Sequence, residues 1–449
     1  MTRYFTFGAE DKKFYKRLMF LALPIVVQEF LNAFVVIVNT VLLGALGVSE
    51  IAAVGLGGQL FFLFSLICFG VSSGSSILMG QFWGDGDAGS IRKTMGLNFA
   101  GCFSAALVFT CIALCLPRQV MGVYSADNRV IELGVTYLRV IWVSYFFSAA
   151  AVTINLSLRS TGQTLLPMAT GLVSIVSNVL LNYLFIRVLK KGVPGAATAA
   201  VIARALEVGT QLILINALKM PVVGKLRDYF ASDVIFFRKY IKLVLPVILN
   251  EFAWALGTSL YNAAYRFCGT AAQAALYVAV SINGLFNVVG MGVGTACGII
   301  MANTLGEGDG TKAVNYSRKS LLLVMCISLI TGALMIISFP LSITFFDMPG
   351  DARNYAFRLI IILAAGLFFK SFNFMAIVGI LRNGGDTVFC FLLDMSTVWF
   401  IGVPAAFIGA VAFGLPIYWV FALVQLEEVS KFFFCGKRAL SNIWVKKLV

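Results

Sequence analysis

Residues 18–49 contain a single ionisable side chain, Glu29, in a run otherwise apolar enough to cross a bilayer. Runs of this kind constrain the chain more than any other feature. Roughly 20 apolar residues in a helix span the hydrocarbon, and a chain crossing lipid must satisfy its backbone as helix or closed barrel. Unbroken apolar stretches lack the alternation of barrel strands, so the expected fold is all-α. Charged residues are 12 % of the chain and mean hydropathy is +0.93, against about a quarter charged in a soluble domain. The chain reads as an integral membrane protein.

Loop signals divide the apolar runs into twelve expected spans, near 17–47, 52–80, 93–116, 130–157, 164–187, 195–218, 240–267, 272–303, 318–341, 355–380, 387–411 and 415–435. With a cytoplasmic N-terminus, most of the 34 Lys and Arg fall in the N-tail, the even-to-odd loops, the 219–242 segment and the C-tail. The positive-inside rule then places both termini in the cytoplasm. The net charge of +14 follows from this topology and from attraction to anionic lipid, and no nucleic-acid partner is expected. The polar N-terminus runs straight into a full-length span, so no cleavable leader is expected. Histidine is absent, which removes the usual haem ligand. The nine cysteines fall mostly in apolar runs and read as small buried hydrophobes without disulfides.

The chain repeats itself. "LPIVVQEFLNAFVVIVNTVLLGALG" (23–47) aligns without a gap with "LPVILNEFAWALGTSLYNAAYRFCG" (245–269), so Glu29 corresponds to Glu251. "MGQFWGDGD" (79–87) aligns with "MANTLGEGD" (301–309), "LRSTGQT" (158–164) with "LRNGGDT" (381–387), and "GVP" (192–194) with "GLP" (414–416). Spans 1–6 and 7–12 are therefore two homologous six-helix bundles in the same orientation. The expected domains are 1–218, an interfacial linker at 219–240, and 241–449. Duplicated bundles usually place a substrate path between their halves and work by alternating access.

These blocks, together with "GALGVSEIAAVGL" (44–56), "LRSTGQTLLPM" (158–168) and "NVLLNYLFI" (178–186), resemble the multidrug and toxic compound extrusion (MATE) family across essentially the whole chain. The resemblance implies a V-shaped, two-lobed antiporter that exports amphipathic, often cationic compounds in exchange for H⁺ or Na⁺. Many relatives carry Asp in a "V-D-T" triplet late in span 1, and here that position is Asn39. An amide exchanges no proton at physiological pH, which disfavours coupling there. Others use a Glu in span 7, which Glu251 resembles, and an Asp in the C-terminal lobe, of which Asp394 is a loose counterpart.

Counting 1.5 Å per residue from Arg17, Lys242 and Arg382 puts Glu29, Glu251 and Asp394 near the midplane, with Lys370 equally central. A charge there costs at least ~2.5–3.5 kcal/mol facing lipid, so all four should face protein or water. Glu251 reads as the main cation-coupling site, holding H⁺ or Na⁺ with Tyr261, Asn262, Tyr277 and Asn283 as possible oxygen donors. The bland reading is a structural carboxylate bonded to a neighbour. Glu29 is its symmetric copy. Asn32, Asn39, Gln59, Asn155, Asn178 and Asn182 make the N-terminal lobe polar enough for substrate; Trp254 and Asn373 are cavity candidates in the other lobe. Lys370 and Asp394 read as a buried pair on adjacent spans, either a proton switch or a permanent strut. Arg204–Glu207 and Glu427–Glu428–Lys431 read as structural ion pairs. No Walker-type glycine pattern occurs, so the chain is not expected to be an ATPase or other enzyme, and no cofactor is needed beyond the coupling ion. The expected function is a monomeric inner-membrane antiporter for small organic molecules. Alternatives are a lipid-linked precursor flippase, an exporter of anionic or zwitterionic metabolites, or a channel or receptor.

Overall fold

The computed structural model describes residues 9–44, 46–345 and 350–449, and these are almost entirely helical. The first half contains α1 (Ala9–Gly44), α2 (Val48–Asp85), α3 (Ala88–Cys115), the short α4 (Pro117–Tyr124), α5 (Asn128–Ile141), α6 (Val143–Ser160), α7 (Leu165–Asn182) and α8 (Gly192–Ala217). A single turn, α9 (Leu226–Tyr229), leads to the second half: α10 (Val234–Tyr265), α11 (Thr270–Gly306), α12 (Gly310–Ser342), α13 (Gly350–Phe374), α14 (Thr387–Thr397), α15 (Val403–Phe407), α16 (Ile417–Val424) and α17 (Leu426–Leu440). Among the described residues, 10 helices are long and apolar enough to cross a membrane, or 11 with α5 and α6 taken as one span bent by 53°. The twelfth expected span is α16 and α17, interrupted at Gln425 and too polar, with Glu427, Glu428 and Lys431, to pass the same test.

The bend between α5 and α6 falls where the sequence has neither Gly nor Pro. At the bend the Ser144 hydroxyl donates to the Ile141 carbonyl at 2.6 Å. Four π-helical segments follow helices, at Tyr183–Val188, Met375–Leu381, Val398–Gly402 and Ile408–Ala412. The second ends immediately before Arg382.

The duplication is written in the backbone. All eight described glycines at positive φ form pairs at the repeat spacing: Gly47 and Gly269, Gly86 and Gly308, Gly162 and Gly385, Gly192 and Gly414. At the matched "GDGD" and "GEGD" turns, Gly86 (φ 82°) and Gly308 (φ 83°) end one helix. Asp87 and Asp309 then cap the next by accepting from Ser90 N (3.0 Å) and Lys312 N (2.9 Å). A left-handed residue at a helix end strongly favours glycine, and a short acid is a preferred N-cap. These turns stop helices, as their sequence indicates.

The chain packs as two compact units, one formed by 27–248 and the other by 1–26 with 249–449. The passage between them lies inside α1, after Val26, and inside α10, after Ile248. Each crossing follows a helix-interior proline by two residues, Pro24 and Pro246. The first unit is built around Phe64, Leu138 and Tyr145. The second has two apolar clusters, one around Leu18, Ile300 and Trp444 and another around Ala279, Leu359 and Val420. Small residues permit the close helix approaches. A Cβ on Gly74 would meet the Val244 backbone at 2.9 Å, and one on Gly379 would meet the Gly294 carbonyl at 2.9 Å.

Residues 219–233 pack within the first unit. Tyr229 donates to the Val222 carbonyl at 2.7 Å and accepts from Gly224 N at 3.1 Å. Arg92 reaches the Pro221 carbonyl and Asp228. The Tyr229 carbonyl lies so near Gly96 that a Cβ there would approach to 1.9 Å.

Candidate functional site

In the first unit, α1, α2, α5, α6, α7 and α8 enclose a cavity of about 560 Å³. That is drug-sized. Its apolar walls include Val35, Phe61, Phe69, Ile141 and Ile175, and its polar groups cluster in three sets. The first is an amide triad: Asn39 donates to Asn178 at 2.9 Å, and Asn182 donates to Asn39 at 3.1 Å and to Asn178 at 3.0 Å. The second is Glu207, 2 % exposed, held by Arg204 at 2.7 Å and by Asn155 at 3.4 Å. Gln211 bonds Asn155 and Thr170 behind it. The third is Glu29, which accepts from Arg159 at 3.4 Å and from Asn32 at 3.5 Å, while the same Arg159 nitrogen donates to Gln28 at 2.7 Å.

In the second unit, Arg382 donates to Glu251 at 2.9 Å, with side-chain exposures of 5 % and 14 %. The duplicated acids therefore take duplicated partners, since Arg159 and Arg382 are the arginines of "LRSTGQT" and "LRNGGDT". Beyond this pair lies a denser cluster. Lys431 on α17 pairs with Asp394 on α14 at 3.0 Å and with Glu427. Glu427 also accepts from the Tyr261 hydroxyl. Glu428 accepts from Asn373 at 2.7 Å, and the Cys435 thiol donates to the Asn373 carbonyl oxygen at 3.3 Å. Two carboxylates thus share one ammonium, with a third, Glu428, on the same helix as both Glu427 and Lys431. Buried charge of one sign in excess is costly, and a proton or a small cation relieves it.

A model of one protein family, MatE, matches the chain twice, over residues 24–184 and 246–408. The chain belongs to the MatE family. The two matches start 222 residues apart (24 and 246), the offset at which Glu29 and Glu251 align. The uncharacterized transporter YisQ of Bacillus subtilis is 23 % identical over 97 % of this chain and 96 % of its own length. A probable multidrug resistance protein, NorM of Thermotoga maritima, is 22 % identical over 97 % and 94 %. Among solved structures, a MATE protein in complex with MaD3S superposes with a TM-score of 0.86 at 18 % identity, covering 95 % of this chain and 96 % of that one. A MOP superfamily transporter from Pyrococcus furiosus, described as having a binding pocket of reversed polarity, gives 0.84 at 19 % identity with the same coverage. MatE proteins are multidrug and toxic compound efflux transporters with a twelve-helix fold, and this chain is a multi-pass membrane transporter of that family.

Within this MatE chain, several residues expected from the sequence meet and others do not. Glu29, Asn32, Asn39, Asn155 and Asn178 line one cavity, with Asn182 just behind it. Gln59 is exposed and outside the lining. The donors expected around Glu251 are elsewhere: Tyr261 bonds Glu427, Asn283 bonds the Met335 sulfur, and Asn262 and Tyr277 are exposed. Trp254 is 40 % exposed. The expected Lys370–Asp394 pair does not form. Asp394 is taken by Lys431, and Lys370 is exposed with no ion pair among the described residues. Spacing along two separate helices gives depth but not rotation, and Lys431 had read only as the partner of Glu427 and Glu428, a pairing that forms with Glu427.

Proposed function

We propose that this MatE transporter is a secondary antiporter that exports small amphipathic, often cationic organic compounds by alternating access, driven by H⁺ or Na⁺ entering through the 249–449 unit. The observation that carries this reading is the Asp394–Lys431–Glu427 cluster. Glu251 already has a guanidinium of its own in Arg382. Asp394 differs because its ammonium is shared. When a proton neutralises Asp394, Lys431 keeps Glu427 and the contact between α14 and α17 loosens; loss of the proton restores it. A charge pair with two settings is the element that coupled transport requires. The cavity in the 27–248 unit serves as the substrate chamber. The protein acts as a monomer in the cytoplasmic membrane with both termini inside.

The test is drug uptake into proteoliposomes with pH and sodium gradients imposed one at a time. One of the two should drive uptake against the substrate gradient, and Asp394→Asn should abolish that drive while gradient-free counterflow continues. Uptake indifferent to both gradients, or full coupling in Asp394→Asn, rejects the proposal.

A further inference from the structure

The two copies of the Glu–Arg pair have diverged in how tightly they are held. Among the described residues, Arg382 donates to Glu251 alone, and both side chains are nearly buried. Arg159 has a second acceptor: its short bond, 2.7 Å, goes to Gln28, and its longer one, 3.4 Å, to Glu29. Its Nε is buried without a partner. The Glu29 side chain is 37 % exposed and forms part of the cavity lining together with Gln28, Asn32 and Arg159. The other acid of the cavity, Glu207, is buried and committed to Arg204 and Asn155.

We infer that Glu29 is a subsite for an organic ammonium group of the transported compound, and that the ammonium takes Glu29 from Arg159. The exchange leaves the guanidinium hydrogen-bonded, because Gln28 keeps it at 2.7 Å when Glu29 leaves. The same exchange at Glu251 would leave Arg382 buried with no acceptor, which is strongly unfavourable. One copy of the pair therefore releases its acid to a ligand, and the other stays closed. The apolar walls, with Phe61, Phe69 and Tyr137 among them, receive the rest of an aromatic cation, and aromatic faces add attraction for positive charge. The inference rests on the reading of this cavity as the substrate chamber.

The test is equilibrium binding to the purified protein in detergent, without any ion gradient. The probes are ethidium, a permanent aromatic cation, and phenanthridine, its uncharged parent ring at pH 8. Glu29→Gln should weaken ethidium binding at least tenfold and leave phenanthridine binding within twofold of wild type, which also reports that the cavity is intact. Gln28→Leu removes no charge, yet it throws Arg159 onto Glu29 and should weaken ethidium binding severalfold. Unchanged ethidium binding in either variant, or equal loss of both probes in Glu29→Gln, overturns the inference. Wild-type protein that binds neither probe overturns it together with the chamber reading. Counterflow in liposomes measures export separately, so intact counterflow alongside a failed Glu29 result sinks the subsite alone.

Discussion

Removing the arginine from each duplicated pair should cost more in the second copy than in the first. Arg382→Met leaves Glu251, 14 % exposed, without its cation, and breaking a buried pair from one side costs about 3–5 kcal/mol. Arg159→Met leaves Glu29, which is 37 % exposed and partly hydrated, and orphans one Gln28 acceptor. Exposed pairs are worth about 0–1 kcal/mol and an unsatisfied buried acceptor about 1–3, so the sum is about 1–4 kcal/mol. At about 2–4 °C per kcal/mol for a unit of 150–250 residues, Arg382→Met should lower the melting temperature by roughly 6–20 °C and Arg159→Met by roughly 2–16 °C. Membrane proteins commonly unfold irreversibly, so both variants are melted at one scan rate in one detergent, read by loss of the monodisperse peak. The decisive comparison is with the double variants. Glu251→Gln/Arg382→Met should recover most of the loss, because neither charge then remains. Equal losses for the two arginines, or a double variant no more stable than Arg382→Met, would refute the reasoning.

Other expectations follow from single contacts. Gly96→Ala drives a methyl into the Tyr229 carbonyl and should detach residues 219–233, read as faster tryptic cleavage at Lys225 and Arg227 than in wild type. Trp444→Ala empties a fully buried site whose indole donates to the Ala439 carbonyl at 2.8 Å, and should cost about 3–5 kcal/mol, read as a lower melting temperature. Asp386→Asn weakens the bonds that hold Arg438 (2.7 Å) and Lys446 (3.4 Å), and should expose the chain beyond Leu440 to carboxypeptidase.

The repeat, the helix-stopping turns and the membrane class were legible because each depends on residue type at fixed spacing. Glycine at 47, 86, 162 and 192 announces backbone that other residues avoid, and its recurrence 222 or 223 positions later requires no coordinates to see. The partners of the buried acids were harder. Arg159 and Arg382 were already in view inside a repeated block, but they read as loop charges because a guanidinium's inward reach does not show in a residue count. The pairing of Lys431 with Glu427 was legible from their spacing on one helix, but its reach to Asp394 was not: α17 carries five charged residues, of which Glu427 and Lys431 are buried. The bend at Trp142 falls where neither Gly nor Pro marks it in the sequence. Which faces of α13, α14 and α17 meet is a matter of helix rotation, and that depends on packing across the whole bundle.

The eight left-handed glycines have a consequence for recombining the two halves. Because the bends recur in register, an exchange of segments cut at corresponding glycines preserves the backbone at every junction. The register does not carry over the closing strap behind Trp444, which grips Asp386 in the second half where the first has Gln163. A protein spliced from two first halves would turn every corner correctly and finish with an end that nothing fastens.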